Sequence, residues 1–180
     1  MHAYNRRACY GYDRDFGVDL NRNYPTYFGG PGSSDDPCSA VYRGPYAFSE
    51  PETRAVKDFL ERWTNVKLGI NLHAYGNFLC TPFNALSENN DEITKPKYAQ
   101  ARKLYGQLGR VMPAGSKIGN GMQTIGYQAA GVTSDWMLQD LGIVSVTAEL
   151  GTRHEPTKAF LIQDKVYHYD LLGENYRWVK

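Results

Sequence analysis

Val66–Gly76, VKLGINLHAYG, decides how the chain is read. Val66 to Leu72 is a mostly apolar run of strand length, broken by Gly76 and Asn77, so the pattern predicts a short buried strand. His73 stands at its C-terminal end. In open α/β sheets ligands and chemistry collect at that edge. A histidine there is either a core side chain satisfied by a neighbouring carbonyl or a group placed to act. The strand alone leaves both open.

Upstream of this stretch, Ser49-Glu50-Pro51-Glu52 reads as a capping box with proline in the first turn. Val56, Phe59, Leu60 and Trp63 follow at helical spacing, which predicts a helix from about Glu50 to Trp63 with one apolar face on the sheet. Before it, residues 24–48 form a long Gly/Pro/Ser/Asp loop, of the kind that is functional or pinned, for instance by a disulfide at Cys38. Gly17–Leu20, GVDL, reads as a short strand running into Asn21 and Arg22.

Downstream, Asn77–Pro82 reads as a second strand, 84–95 as a polar loop, and Pro96 as the start of a helix burying Tyr98, Ala101, Tyr105, Leu108 and Met112. Residues 113–132 are glycine-rich loop carrying Tyr127. Thr133 can cap a short helix stopped by Gly142, and Ile143–Leu150, IVSVTAEL, is a β-branched strand ending at Glu149. A last helix is expected at about 157–176. The order of elements gives an α/β layered domain with a mixed β-sheet flanked by helices.

The totals narrow the classes. A length of 180 residues suggests one domain with a real core. A net charge of +1 gives no argument for nucleic acid or an anionic membrane surface as partner, and no apolar run approaches the ~18 residues of a membrane span. No signal peptide is visible in MHAYNRR. Of three cysteines, Cys9 and Cys38 lie in loop sequence and could pair in an oxidising compartment, whereas Cys80 reads as a buried thiol.

Three predicted strands thus end in functional groups: Asn21-Arg22, His73 and Glu149. Arg22 could fork onto a carboxylate with Asn21 adding a directional donor. Glu149, at the tip of an apolar strand, suits a general base. Each also has a plain role open to it: Arg22 pairing Asp19, Glu149 as a surface carboxylate, Tyr127 as mere surface.

Taken together the motifs are specific. GVDLNRNYP, PCSAVYRGPYAFSEPETRAVKDFL, INLHAYG, GYQAAGVTSDW and VTAELG closely resemble, in order, the zinc metallocarboxypeptidases of the pancreatic carboxypeptidase A/B type. The resemblance implies the carboxypeptidase fold and zinc-dependent hydrolysis of the C-terminal bond of peptides or proteins. It implies that His73 is a Zn2+ ligand, that Asn21 and Arg22 hold the substrate's terminal carboxylate, and that Tyr127 is the mobile tyrosine closing over the peptide. Glu149 is then the general base, Ser134 the specificity position of the pocket, and Cys38 half of a disulfide with Cys9 as partner. A secreted protein follows as an expectation.

The departures are as informative. The family's first two zinc ligands come from an H-x-x-E motif; here His2, His73, His154 and His168 are followed three residues on by Asn5, Gly76, Thr157 and Leu171. The family's oxyanion arginine would fall at Ala3. Residues 1–180 are therefore expected to be the C-terminal part of a carboxypeptidase catalytic domain, a fragment supplying one of three zinc ligands and inactive by itself. Ser134 is neither acidic nor apolar, so it does not indicate which residue is released. The alternative is a non-catalytic module that binds peptide C-termini through Asn21, Arg22 and Tyr127.

Overall fold

A computed structural model describes residues 17–88, 91–112 and 115–151. The β-branched run after Gly142 forms the strand on which the sheet is built. This strand, β4 (Val144–Glu149), lies between β1 (Leu68–His73) and β2 (Phe78–Cys80), with β3 (Lys117–Gly119) beyond β2. β1 and β4 run parallel, β4 and β2 antiparallel, β2 and β3 parallel. The sheet is mixed, and the fold is α/β.

Five helices accompany it among the described residues: α1 (Pro51–Arg62), α2 (Asp91–Thr94), α3 (Ala99–Val111), α4 (Gly121–Thr124) and α5 (Thr133–Leu141). On α3, Ala101 and Tyr105 are buried, and Tyr98 just before it, with Phe83, Leu138, Val144 and Val146. A second cluster joins Tyr24, Leu60, Trp136, Met137 and Ile143, where Tyr24 stacks on Trp136 at 5.3 Å between ring centroids. The α5 helix contributes to both, so it ties the sheet to the loop before α1. Gly142 ends α5 in the left-handed conformation at φ 66°, the position a helix terminus gives to glycine because no Cβ is there to clash.

Several local expectations are corrected. GVDL is no strand: Asp19 Oδ1 accepts from the backbone N–H of Asn21 and caps a 3-10 turn, Leu20–Arg22. Short polar side chains compete in this way with extended pairing. The helix start at Pro51 holds, but there is no capping box there, since Glu50 makes no side-chain cap bond. Asn23 does the work instead. It is fully buried, donates to the Arg43 and Tyr46 carbonyls and to Ser49 Oγ, and accepts from Glu50 N–H and Thr53 Oγ1. One amide so pins the long loop and the start of α1.

The apolar stripe of α1 is also not core as expected. Leu60 is buried, whereas Val56, Phe59 and Trp63 are 38%, 56% and 53% exposed, because no described element lies over them. The stretch 113–132 holds more structure than a loop. Within it are β3 and α4, the latter closed by a capping box in which Asn120 and Gln123 exchange side-chain and backbone bonds. The polar stretch 84–95 holds α2. Cys38 is disulfide-bonded and Cys80 is a free, buried thiol. Cys9 and the helix expected at 157–176 lie outside the described residues.

Candidate functional site

In a strand, side chains alternate between the two faces. His73 and Glu149 are register partners on the parallel strands β1 and β4, so they leave the C-terminal edge side by side. His73 Nδ1 lies 3.6 Å from Glu149 Oε1. The loops after the two strands are cross-tied: Gly76 N–H donates to the Gly151 carbonyl at 2.9 Å, and Gly151 N–H to Asn77 Oδ1 at 2.9 Å. This fixes the edge from which both side chains project.

Asn21, Arg22, His73, Tyr127 and Glu149 all line one open cleft of about 230 Å³. Tyr127 stands at the rim, about half exposed, following Gly126 in the loop after α4.

The polar groups at the mouth are spent on one side only. Arg22 is buried; its Nε donates to the Gly32 carbonyl at 2.7 Å and its Nη1 to the Asn21 carbonyl at 2.8 Å, with Asp19 Oδ2 3.7 Å from Nη1. Nothing among the described residues takes Nη2. Asn21 Oδ1 accepts from the N–H and hydroxyl of Thr133, at 3.0 and 3.2 Å, which leaves its Nδ2 as the unspent donor. Two glycines shape the backbone around Arg22, and the Gly32 carbonyl receives its Nε. At Gly32 (φ 74°) a Cβ would lie 1.8 Å from the Gln128 carbonyl oxygen, and at Gly131 (φ 72°) 2.4 Å from the Arg22 carbonyl oxygen. Both the left-handed backbone and the close approach require glycine there.

Deeper in, the cleft is lined by Cys80, Asn84, Ala129, Val132 and Thr147. Thr147 precedes Glu149 by two and so shares its face of the sheet; Cys80 is its cross-strand partner. Burial pushes the Cys80 thiol up to about 11, against a bond from Thr124 that pulls it down, so at neutral pH this wall carries no thiolate.

Ser134, expected at the pocket, is not among the lining residues. It is fully buried and accepts from Asn84 Nδ2 at 3.2 Å; the residue that meets the cleft is Asn84. Asp135 is equally buried and accepts from the Asn84 N–H, the Asn84 side-chain amide and the Ala85 N–H. Burial raises its carboxyl to about 7, with those three bonds acting in the opposite direction. The sequence reading missed Asn84 and Thr147. Period-two alternation back from Glu149 would have found Thr147, while Asn84 lies in irregular chain with no periodic signal.

Among the described residues no group of three or more His, Cys, Asp or Glu side chains could hold a metal ion. His73 and Glu149 stand as a pair.

A family model described as zinc carboxypeptidase matches residues 2–169. Carboxypeptidase A2 of Rattus norvegicus is 39% identical over 133 residues, covering 71% of this chain and 30% of its own length. Carboxypeptidase A1 of Mus musculus is 35% identical over 152 residues, covering 81% and 34%. Among solved structures, thrombin activatable fibrinolysis inhibitor superposes with a TM-score of 0.58 at 32% identity over 83% of this chain and 37% of the other. Carboxypeptidase A from Helicoverpa armigera gives 0.56 at 28%, over 78% and 34%. The chain spans about a third of the length of the curated relatives it matches.

Proposed function

Since this chain belongs to the zinc carboxypeptidase family, we propose that its cleft is the substrate side of a metallocarboxypeptidase site, built to grip the free C-terminus of a peptide or protein. The observation that carries the reading is the pair of unspent donors, Arg22 Nη2 and Asn21 Nδ2, beside the His73–Glu149 pair in one cleft. A carboxylate seated on a buried, pre-aimed guanidinium gains charge-assisted bonds of ~1.5–3 kcal/mol each. Tyr127 at the rim covers the bound residue. A carboxylate-first grip restricts attack to the last peptide bond.

Glu149 lies where a carboxylate can take a proton from an attacking water and return it to the leaving amine. The family name carries zinc, and His73 is the donor this chain offers to it. One imidazole does not fit a zinc ion that needs three protein ligands, so no step is routed through the metal here. The described residues thus account for recognition and for the proton carrier. The Cys38 disulfide supports an oxidising, extracellular setting, and no described helix is long and apolar enough to cross a membrane.

The test is binding of N-benzoyl dipeptides to the purified chain by calorimetry. A free terminal carboxylate should bind and its amide should not. Arg22→Gln should weaken binding by ~10–100-fold, the equivalent of one or two charge-assisted bonds at ~1.4 kcal/mol per decade. The same preparation, assayed for bound zinc and for release of the last residue, should show neither in stoichiometric amount. Stoichiometric zinc with turnover abolished by Glu149→Gln would overturn the conclusion that this chain, with His73 alone, does not hold the metal.

A further inference from the structure

The deep wall of the cleft carries information that the carboxylate grip does not use. Ala129 and Val132 are apolar, Cys80 holds its proton, and Asn84 and Thr147 supply the polar atoms. No charged side chain lines this part, because Asp19, Arg22, His73 and Glu149 all belong to the mouth and the strand edge.

Asn84 is 3% exposed and fixed from every side. Its N–H donates to both Asp135 oxygens, at 3.0 and 2.8 Å, and its carbonyl accepts from Ala129 N–H at 2.8 Å. Both side-chain N–H groups are used, one on Ser134 Oγ at 3.2 Å and one on Asp135 Oδ1 at 2.8 Å. In its ionised form Asp135 can only accept here, which puts the amide nitrogen on its side and Oδ1 on the other. Asn84 Oδ1 accepts nothing from the described residues, yet it is not among the buried polar atoms left without a partner. The oxygen is therefore not fully sealed, and its residue lines the cleft. Thr147 likewise spends its hydroxyl on no described group, on the same sheet face as Glu149.

We propose that Asn84 Oδ1, with the Thr147 hydroxyl, selects the side chain of the C-terminal residue, favouring an uncharged chain with a hydrogen-bond donor at its tip, glutamine or asparagine above all. The proposal rests on the reading of the cleft as a C-terminus site and names the substrate class within it. An apolar stem packs on Ala129 and Val132, and the terminal NH2 donates to Asn84 Oδ1 while its carbonyl accepts from Thr147. A glutamate of the same shape sets oxygen against oxygen. A leucine leaves both wall groups unpaired, which a buried site penalises. A lysine must shed its water with no carboxylate exposed to receive it, since Asp135 is sealed behind Asn84 with its oxygens already bonded.

Calorimetry with N-benzoyl-Gly-X ligands, X being Gln, Glu, Leu or Lys, tests this on the chain as it stands. Gln should bind roughly tenfold tighter than Leu or Lys and by a wider margin than Glu. Thr147→Val, which keeps shape, should cut the Gln-over-Leu ratio severalfold, weakening Gln binding and improving Leu binding as the unpaired hydroxyl is removed. Asn84→Leu should abolish the ratio, and thermal melting of each variant shows whether it is folded. Four ligands binding equally, or Lys or Leu leading, would overturn the assignment of Asn84 while the C-terminus reading stands. An amidated Gln ligand binding as well as the free acid would overturn both.

Discussion

β1 and β4 are neighbours paired residue for residue, and both alternate apolar and polar side chains up to a functional group. Their surroundings are opposite. On one face, Val144, Val146 and Ala148 of β4 are at most 8% exposed, while their partners Leu68, Ile70 and Leu72 of β1 are 49%, 52% and 68% exposed. α3 covers β4 there, and nothing among the described residues covers β1 or the neighbouring stripe of α1. The two strands look alike in sequence, because the pattern encodes which face is apolar and not which strand lies at the edge. On the other face the difference disappears: His73 and Glu149 end together in the same cleft.

The sharpest way to break this comparison is to put a charge at one register position on each strand. Val146→Asp should abolish cooperative unfolding or cost more than ~4 kcal/mol, since it buries an unpaired carboxylate. Ile70→Asp, its partner, should shift the urea midpoint by less than the equivalent of ~1 kcal/mol. Equal losses would show that a segment outside the described residues lies over β1.

The buried side should also carry the pH dependence. An acid whose folded-state value, about 7 for Asp135, lies above its unfolded value of ~3.9 stabilises the fold fully below ~4. That contribution is lost as pH rises towards 7. Its slope reaches at most ~1.4 kcal/mol per pH unit. Urea melts between pH 4.5 and 8 should show the decline in the parent chain. In Asp135→Asn the slope should vanish, although the variant is less stable throughout because an amide nitrogen now faces N–H donors. The smallest effect belongs to the open edge. Leu72→Ser should change stability by no more than about 0.5 kcal/mol, and amides of β1 not bonded to β4 should exchange faster than those of β4.

Much of the site was legible because its residues end strands or sit in distinctive runs. His73 and Glu149 follow from short apolar segments that can only end at an edge. Asn21 and Arg22 were reached through a strand that does not exist. The side chains still arrive at the cleft, because Asp19 turns the chain there, Gly131 packs against the Arg22 backbone and the Gly32 carbonyl receives the Arg22 Nε. Ser134 could not be placed from sequence, since only the α5 geometry hides it behind Asn84. Val56, Phe59 and Trp63 read as core for a related reason: helical spacing reports an apolar stripe and says nothing of what comes to cover it.

Asn21 has a consequence of its own. One end of its amide faces the cleft, and the other receives the first free N–H of α5, 112 residues away in the chain. Grip and scaffold therefore draw on a single planar group. Losing Asn21 would weaken the ligand grip and the start of α5 together, the latter by about 0.5–2 kcal/mol. Its chemistry and its shape are coupled through that one amide.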